Sequence, residues 1–245
     1  DQRPWDDQCH IEDRTAAPAQ IAIQGPASRD ILVAAGAEEI AELKMHHCRD
    51  IQVAGMSCFA ARTGYCGELG YELNVPARQA VDIWKCLLQK GARKGLKPAG
   101  LGARDLLRLE MAYLLYGNDI SEDTTPLEAN AAWTVNFEKG EFLGRAPLHR
   151  QTQQGPSRRL VAFELLQKSV PRHGFRILDP ASSQPIGEVT SGNLSPLLQK
   201  GIGLGYVPTA FAKPDTACSV DIRGKILPAV TVKPPFYRKA RTAHH

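Results

Sequence analysis

The chain has 245 residues, 43% of them hydrophobic and 23% charged, with a formal net charge of +4. That is globular composition, with apolar material for a core and room for one large domain or two ordinary ones. No run reaches the roughly 18 apolar residues of a membrane helix, and the polar stretch 1–13 holds no apolar signal segment, so a soluble, non-secreted protein without a membrane partner is expected.

The six cysteines are scattered, with no C-x-x-C pair and no zinc-finger spacing to histidine. Free thiols in a reducing compartment follow, hence an expected cytoplasmic location. The first residue is Asp rather than Met, which points to a processed or partial chain.

Along the chain, Gln20 to Gln24 reads as a strand closed by Gly25-Pro26. Ser28 to Ala35 reads as a helix, with Ser28 as N-cap and Gly36 as its stop. Ile51 to Thr63 is β-prone and interrupted at Gly55, so one or two strands are predicted there. Gly64 to Gly70 carries three glycines in seven residues, a turn with special backbone demands. In the strand that follows, Tyr71, Leu73 and Val75 share one face, and Glu72 and Asn74 take the other. Arg78 to Lys90 is predicted as an amphipathic helix with a Val81, Trp84, Leu88 stripe and Leu87 beside it. Gly102 to Leu115 is predicted as a second, with Leu107, Met111 and Leu114 as its stripe and Arg104 on the same side. A polar loop runs through Pro126, and Ala131 to Phe137 is predicted as a strand.

Around Gly140 to Ser157 the chain turns polar, basic and glutamine-rich, and a domain boundary is placed there, at 150/151. Beyond it, short β-like runs (160–165, 175–178, 187–190, 202–207, 218–222, 226–232) alternate with Gly/Pro/Asp turns. That is the pattern of a small all-β barrel or sandwich of about 85 residues. The fold class is therefore α+β: an α+β domain over 1–150 and a β domain over 151–245.

Basic residues gather over 139–159 and 233–241, which suits an anionic partner or simply a solvated surface. No Ser-His-Asp context, H-E-x-x-H, phosphate-binding loop or dinucleotide fingerprint is present. The adjacent pairs His46-His47 and His244-His245 share no face, and no metal site is expected. Tyr65, Glu72, Arg104 and Trp133 are polar or aromatic groups in apolar contexts. A carboxylate can accept two N–H donors from a planar heterocycle, an arginine fork suits a carboxylate, and an aromatic ring gives a stacking wall. Pattern alone favours the plainer readings: a solvent-facing Glu72, an ordinary salt bridge at Arg104, and Tyr65 and Trp133 as plain core.

Longer stretches are more specific. Residues 62–73 (RTGYCGELGYEL), 100–110 (GLGARDLLRLE), 116–128 (YGNDISEDTTPLE), 187–196 (GEVTSGNLSP) and 203–208 (GLGYVP) occur in this order. Together they resemble the glycine cleavage T proteins, from about Ile11 to Tyr237. The GELGYEL wording also occurs in folate domains of dimethylglycine- and sarcosine-oxidising enzymes, whereas YGND followed by TTPLE favours the T protein. Cys66 and Leu69 stand where the family usually has threonine and often aspartate.

The resemblance implies a tetrahydrofolate-dependent aminomethyltransferase. It also implies a partial folate-binding α+β domain followed by a C-terminal β-barrel, and the lipoylated H protein as partner. Neither nucleic acid nor a metal is implied. Glu72 would take the pterin N–H edge, with Tyr65 and Trp133 lining the folate pocket. Arg104 would hold a carboxylate of the folate or orient Glu72, and Arg238 would meet the glutamate tail. The family's catalytic aspartate belongs to an N-terminal part with no counterpart before Asp1, so no residue here is assigned that role. A non-catalytic folate-binding relative and the folate domain of a larger amine-oxidising enzyme are the alternatives. Loss of the N-terminal part would expose core surface, so poor solubility is expected.

Overall fold

The computed structural model describes residues 10–238. The acidic first residues, Cys9, the end of the second basic cluster and the His244-His245 pair lie outside them. The polypeptide divides into two compact units, 1–100 and 101–245.

The first unit is a four-stranded antiparallel sheet with helices on one face. Its strands are β1 (Pro18–Gln24), β2 (Cys48–Val53), β3 (Met56–Ala61) and β4 (Gly70–Pro76), in the order β1-β4-β3-β2. The predicted break at Gly55 is the β2–β3 turn, where Ala54 and Gly55 both take positive φ. Alternation puts Ile21, Ile23, Ile51, Val53, Cys58, Ala60, Tyr71, Leu73 and Val75 into one buried core with α1 (Ser28–Ala34) and α2 (Ala80–Gly91).

Two helix details differ from expectation. Ser28 is not a side-chain cap; its hydroxyl donates to the Leu69 carbonyl at 3.1 Å, fastening α1 to the segment before β4. On α2, Ile83 and Leu87 are the fully buried side chains, whereas Val81 and Trp84 are 60% and 41% exposed. Both stripes have helical spacing, and only the position of the sheet selects between them. The α1 stop is as predicted, with Gly36 at φ +93°.

The second unit begins with α3 (Leu101–Glu110), five residues shorter at its C-terminal end than predicted. Ala112 takes φ +54°, the Ala112 N–H donates to the Leu109 carbonyl and the Tyr113 N–H to the Arg108 carbonyl. This is a Schellman end made with alanine instead of glycine, so the sequence carries no visible stop. The buried side is Arg108, Leu109 and Glu110, while Leu107 of the predicted stripe is 41% exposed.

Thr125 to Glu128 makes a reciprocal cap. The Thr125 N–H donates to Glu128 Oε2 at 3.0 Å, and the Glu128 N–H donates to Thr125 Oγ1 at 3.2 Å. The strand predicted over Ala131 to Phe137 is instead two 3-10 turns, Ala132–Thr134 and Phe137–Lys139. The Thr134 hydroxyl bonds back to the Ala131 carbonyl, a local alternative to ladder pairing. The polar stretch beyond Gly140 contains a helix, α4 (Arg145–Gln154), with no buried residue and hence no hydrophobic stripe to reveal it. Pro147 lies in its first turn, where a missing N–H costs nothing.

The β domain is a closed six-stranded barrel. Its strands are β5 (Arg158–Leu165), β6 (Arg176–Leu178), β7 (Pro185–Ser195), β8 (Lys200–Pro208), β9 (Ala217–Ile222) and β10 (Lys225–Val232). They close in the order β10-β5-β8-β7-β6-β9. Val161, Phe163, Leu165, Ile177, Val189, Val207, Cys218, Val220, Leu227 and Ala229 fill the interior. Leu160, Ala162, Ile202 and Leu204 face outward yet are buried with Leu109 of α3. The run 160–163 is thus apolar throughout because β5 is covered on both faces. The interior is tight: a Cβ on Gly203 would meet the Phe163 ring, and one on Gly205 would meet the Glu188 carbonyl oxygen at 2.6 Å.

Candidate functional site

In the first unit the glycine turn is organised by one side chain. The Gln24 amide nitrogen donates to the Thr63 and Tyr71 carbonyls, each at 3.4 Å, and the Cys66 thiol lies 3.4 Å from its Oε1. A Cβ on Gly64 or Gly70 would run into this carboxamide. Gly67, at φ +77°, supplies the left-handed step between them. Tyr65 is half-buried in this turn, and the Tyr71 ring, fully buried, accepts at its hydroxyl from Arg29 Nε at 3.2 Å.

Glu72 is half-buried on the sheet face turned away from α1 and α2. Its cross-strand neighbours are Ala22 on β1 and Ala61 on β3. Two methyl groups thus flank the carboxylate across the strands, and neither offers it a side-chain hydrogen bond.

In the second unit Arg104 is exposed on the first turns of α3, Trp133 is 86% exposed in its 3-10 turn, and Arg238 is exposed after Pro234-Pro235-Phe236. Exposure rules out the plain-core reading of Trp133. The Tyr237 N–H donates to the Glu110 carbonyl at 3.0 Å, which ties the segment bearing Arg238 to the end of the helix bearing Arg104.

Sequence reasoning missed the buried polar network of the second unit. Arg108 is only 2% exposed, and its guanidinium has every face occupied. Nε donates to Asp105 at 2.8 Å, Nη1 to Asp119 at 2.6 Å and to the Tyr113 carbonyl at 3.0 Å, and Nη2 to Ser191 Oγ at 2.8 Å. Asp119 is fully buried; it also accepts from the Leu115 N–H at 2.9 Å and from the Thr190 hydroxyl at 2.5 Å. Burial would lower the Arg108 pKa, but hydrogen bonds to Asp105 and Asp119 and their charges outweigh it and the net shift is upward.

Adjacent strand residues ordinarily point to opposite faces, yet Thr190 and Ser191 both reach this network. A bulge makes that possible: Val189 pairs with Gly205 and Ser191 with Leu204, leaving Thr190 as the extra residue. The Thr190 carbonyl, released from the ladder, accepts from His173 Nδ1 at 2.8 Å and from Asn118 Nδ2 at 3.4 Å. Further along β7, the Ser195 hydroxyl donates to the buried Glu110 carboxylate at 2.5 Å.

Beside the bulge lies a cavity of about 730 Å³ bordered by Asn118, Asp123, Arg158, His173, Glu188 and Tyr206. The Tyr206 hydroxyl donates to the Asp119 carbonyl at 2.9 Å, Arg158 stacks 4.8 Å above its ring, and burial pushes its pKa up to about 12. Among the described residues no group of three or more His, Cys, Asp or Glu side chains is arranged to hold a metal ion. No helix among them is long and apolar enough to cross a membrane.

These contacts join stretches far apart in sequence. The 100–110 stretch supplies Arg108 and Glu110, 116–128 supplies Asp119 and Glu128, and 187–196 supplies Thr190, Ser191 and Ser195. The 203–208 stretch supplies Tyr206. The signal available in the sequence was an arginine and a glutamate, Arg108 and Glu110, flanking Leu109 on the buried side of a helix.

Known proteins match this chain over most of its length. A family model described as the GCVT N-terminal domain matches residues 1–139, and one described as the glycine cleavage T-protein C-terminal barrel domain matches residues 158–238. An aminomethyltransferase of Caldanaerobacter subterraneus is 44% identical over 230 residues, covering 94% of this chain and 61% of that protein. One from Thermosynechococcus vestitus is 45% identical over 232 residues, covering 95% and 62%. The crystal structure of the glycine cleavage system aminomethyltransferase T from Bartonella henselae superposes with a TM-score of 0.81 at 33% identity, covering 90% of this chain and 60% of that one. The chain therefore spans about three fifths of the length of the relatives it matches. With the α+β unit and the closed barrel both matched, the chain belongs to the glycine cleavage T-protein family.

Proposed function

We propose that this chain supplies the folate-holding part of a tetrahydrofolate-dependent aminomethyltransferase. In that reaction the aminomethyl carbon carried on the lipoyl arm of the H protein passes to tetrahydrofolate, giving 5,10-methylenetetrahydrofolate and ammonia. Glu72 accepts the N–H edge of the pterin, Tyr65 and Trp133 wall the folate, Arg104 holds a carboxylate of it, and Arg238 meets the glutamate tail. Catalysis here is placement and exclusion of water, since an iminium-like fragment is otherwise lost to hydrolysis. No residue of this chain is assigned the proton-transfer role.

The observation that carries the reading is Glu72 itself, a carboxylate on the outer sheet face with only alanines as cross-strand neighbours. The basic stretches 139–159 and 233–241 suit an acidic carrier protein and a polyglutamate tail, and a cytoplasmic location and a domain boundary at 150/151 belong to the same reading. Calorimetric titration of the chain with tetrahydrofolate tests it. Glu72→Ala is expected to weaken binding by about tenfold or more, the loss of charge-assisted hydrogen bonds. Equal binding by both proteins would refute the role of Glu72, and no binding by the unsubstituted chain would refute the folate reading.

A further inference from the structure

Helix α3 is held to the barrel by an unusual balance of forces. It has ten residues, and the only apolar side chain it buries completely is Leu109. One leucine fixes where a short helix lies but hardly fixes its rotation about its own axis. Polar contacts do that instead. Arg108 and Glu110, either side of Leu109, reach the same strand: Arg108 to Ser191 at 2.8 Å and Glu110 to Ser195 at 2.5 Å. Asp119 closes the arrangement, joined to Arg108 on one oxygen and to Thr190 on the other.

A buried ion pair adds little net stability compared with apolar packing of the same volume. What a guanidinium fork with four fixed partners adds is direction. Direction matters here because Arg104 precedes Arg108 by one helical turn and lies on the same side of α3. Arg238 is governed from the same place, through the bond from the Tyr237 N–H to the Glu110 carbonyl. The turn from Arg108 to Glu110 thus sets the azimuth of one exposed arginine and the location of the other.

We propose that the buried Arg108–Asp119 pair, keyed to the bulge at Thr190, is the positioning device for Arg104 and Arg238, and that it tunes recognition of the glutamyl carboxylates of the folate. This rests on the folate reading. Arg108 and Asp119 are positioning residues; they touch each other and β7, not the ligand.

The test compares two ligands, tetrahydrofolate and tetrahydropteroate, which lacks the glutamate. Both are titrated calorimetrically into the full chain and its Asp119→Asn variant. The unsubstituted chain is expected to prefer tetrahydrofolate by about tenfold, and Asp119→Asn to shrink that preference to about twofold with little change for tetrahydropteroate. Arg104→Gln is expected to shrink it likewise, and the double variant to go no further, since the two act on one contact. If Asp119→Asn fails to fold, Ser191→Ala removes one partner of Arg108 and leaves the ion pair; a preference about threefold smaller is expected. Equal weakening of both ligands, or an unchanged preference in the folded variants, overturns the positioning role while leaving the folate reading intact. Failure of the unsubstituted chain to bind either ligand removes both.

Discussion

Two protonated side chains in the barrel tie its stability to alkaline pH. Tyr206 donates its proton to the Asp119 carbonyl, and burial lifts its pKa from 10.0 to about 12. Cys218 is buried in the barrel interior, and burial alone lifts its pKa from 9.0 to about 11. Both groups hold their proton more tightly when folded than when unfolded. Their contribution is complete below the unfolded values and is lost as pH rises through the folded ones. Denaturant midpoints are therefore expected to hold up to pH 9 and then fall, with Cys218 acting from 9 to 11 and Tyr206 from 10 to 12. Tyr206→Phe is expected to remove the decline's later part; a curve identical to that of the unsubstituted chain would contradict the assignment. Alkylation of Cys218 by a neutral-pH thiol reagent is expected only on unfolding, because the thiolate is the reactive form.

At the scale of the element, α3 shows how a helix can end without a visible stop. Ala112 occupies the left-handed position that glycine normally takes, and an L side chain there costs about 1–2 kcal/mol. Glycine removes that strain but adds freedom to the unfolded chain, so Ala112→Gly is expected to stabilise by about 0.5–1 kcal/mol. A lowered thermal midpoint would show that the methyl group does something the turn geometry does not. The strand β7 makes a related point: its bulge adds one residue, and that residue lets neighbouring side chains join one network. In 187–196 the pattern of alternation read as a short strand over Gly187 to Thr190; the observed strand runs on to Ser195, past the bulge that broke the alternation. Helix α4 was illegible for the opposite reason, since nothing on it is buried and periodicity had nothing to report.

For the whole molecule, each unit has its own apolar core, one between sheet and helices and one inside the barrel. Phe163 is the largest fully buried apolar side chain of the barrel interior, and the absent side chain of Gly203 makes the space for its ring. Phe163→Ala is expected to cost about 3–5 kcal/mol, because barrel closure leaves its walls little freedom to collapse into the void. Chemical denaturation followed by circular dichroism measures it, and a loss below about 1 kcal/mol would mean the interior repacks.

The sequence by itself determined the strands of both units, the placement of Tyr71, Leu73 and Val75 in the core with Glu72 opposite, and the family. Those depend on short-range alternation, turn residues and long ordered motifs, all of which are local. It did not determine which of two stripes α2 buries, where α3 ends, that 131–137 turns instead of pairing, or that Arg108 and Asp119 meet. Each of these is decided by what packs alongside: a sheet face that selects Ile83 and Leu87 over Val81 and Trp84, and a barrel strand that offers Ser191 and Ser195 to α3. The contact between Glu110 and Ser195 joins residues 85 positions apart, and no local pattern encodes a partner at that distance.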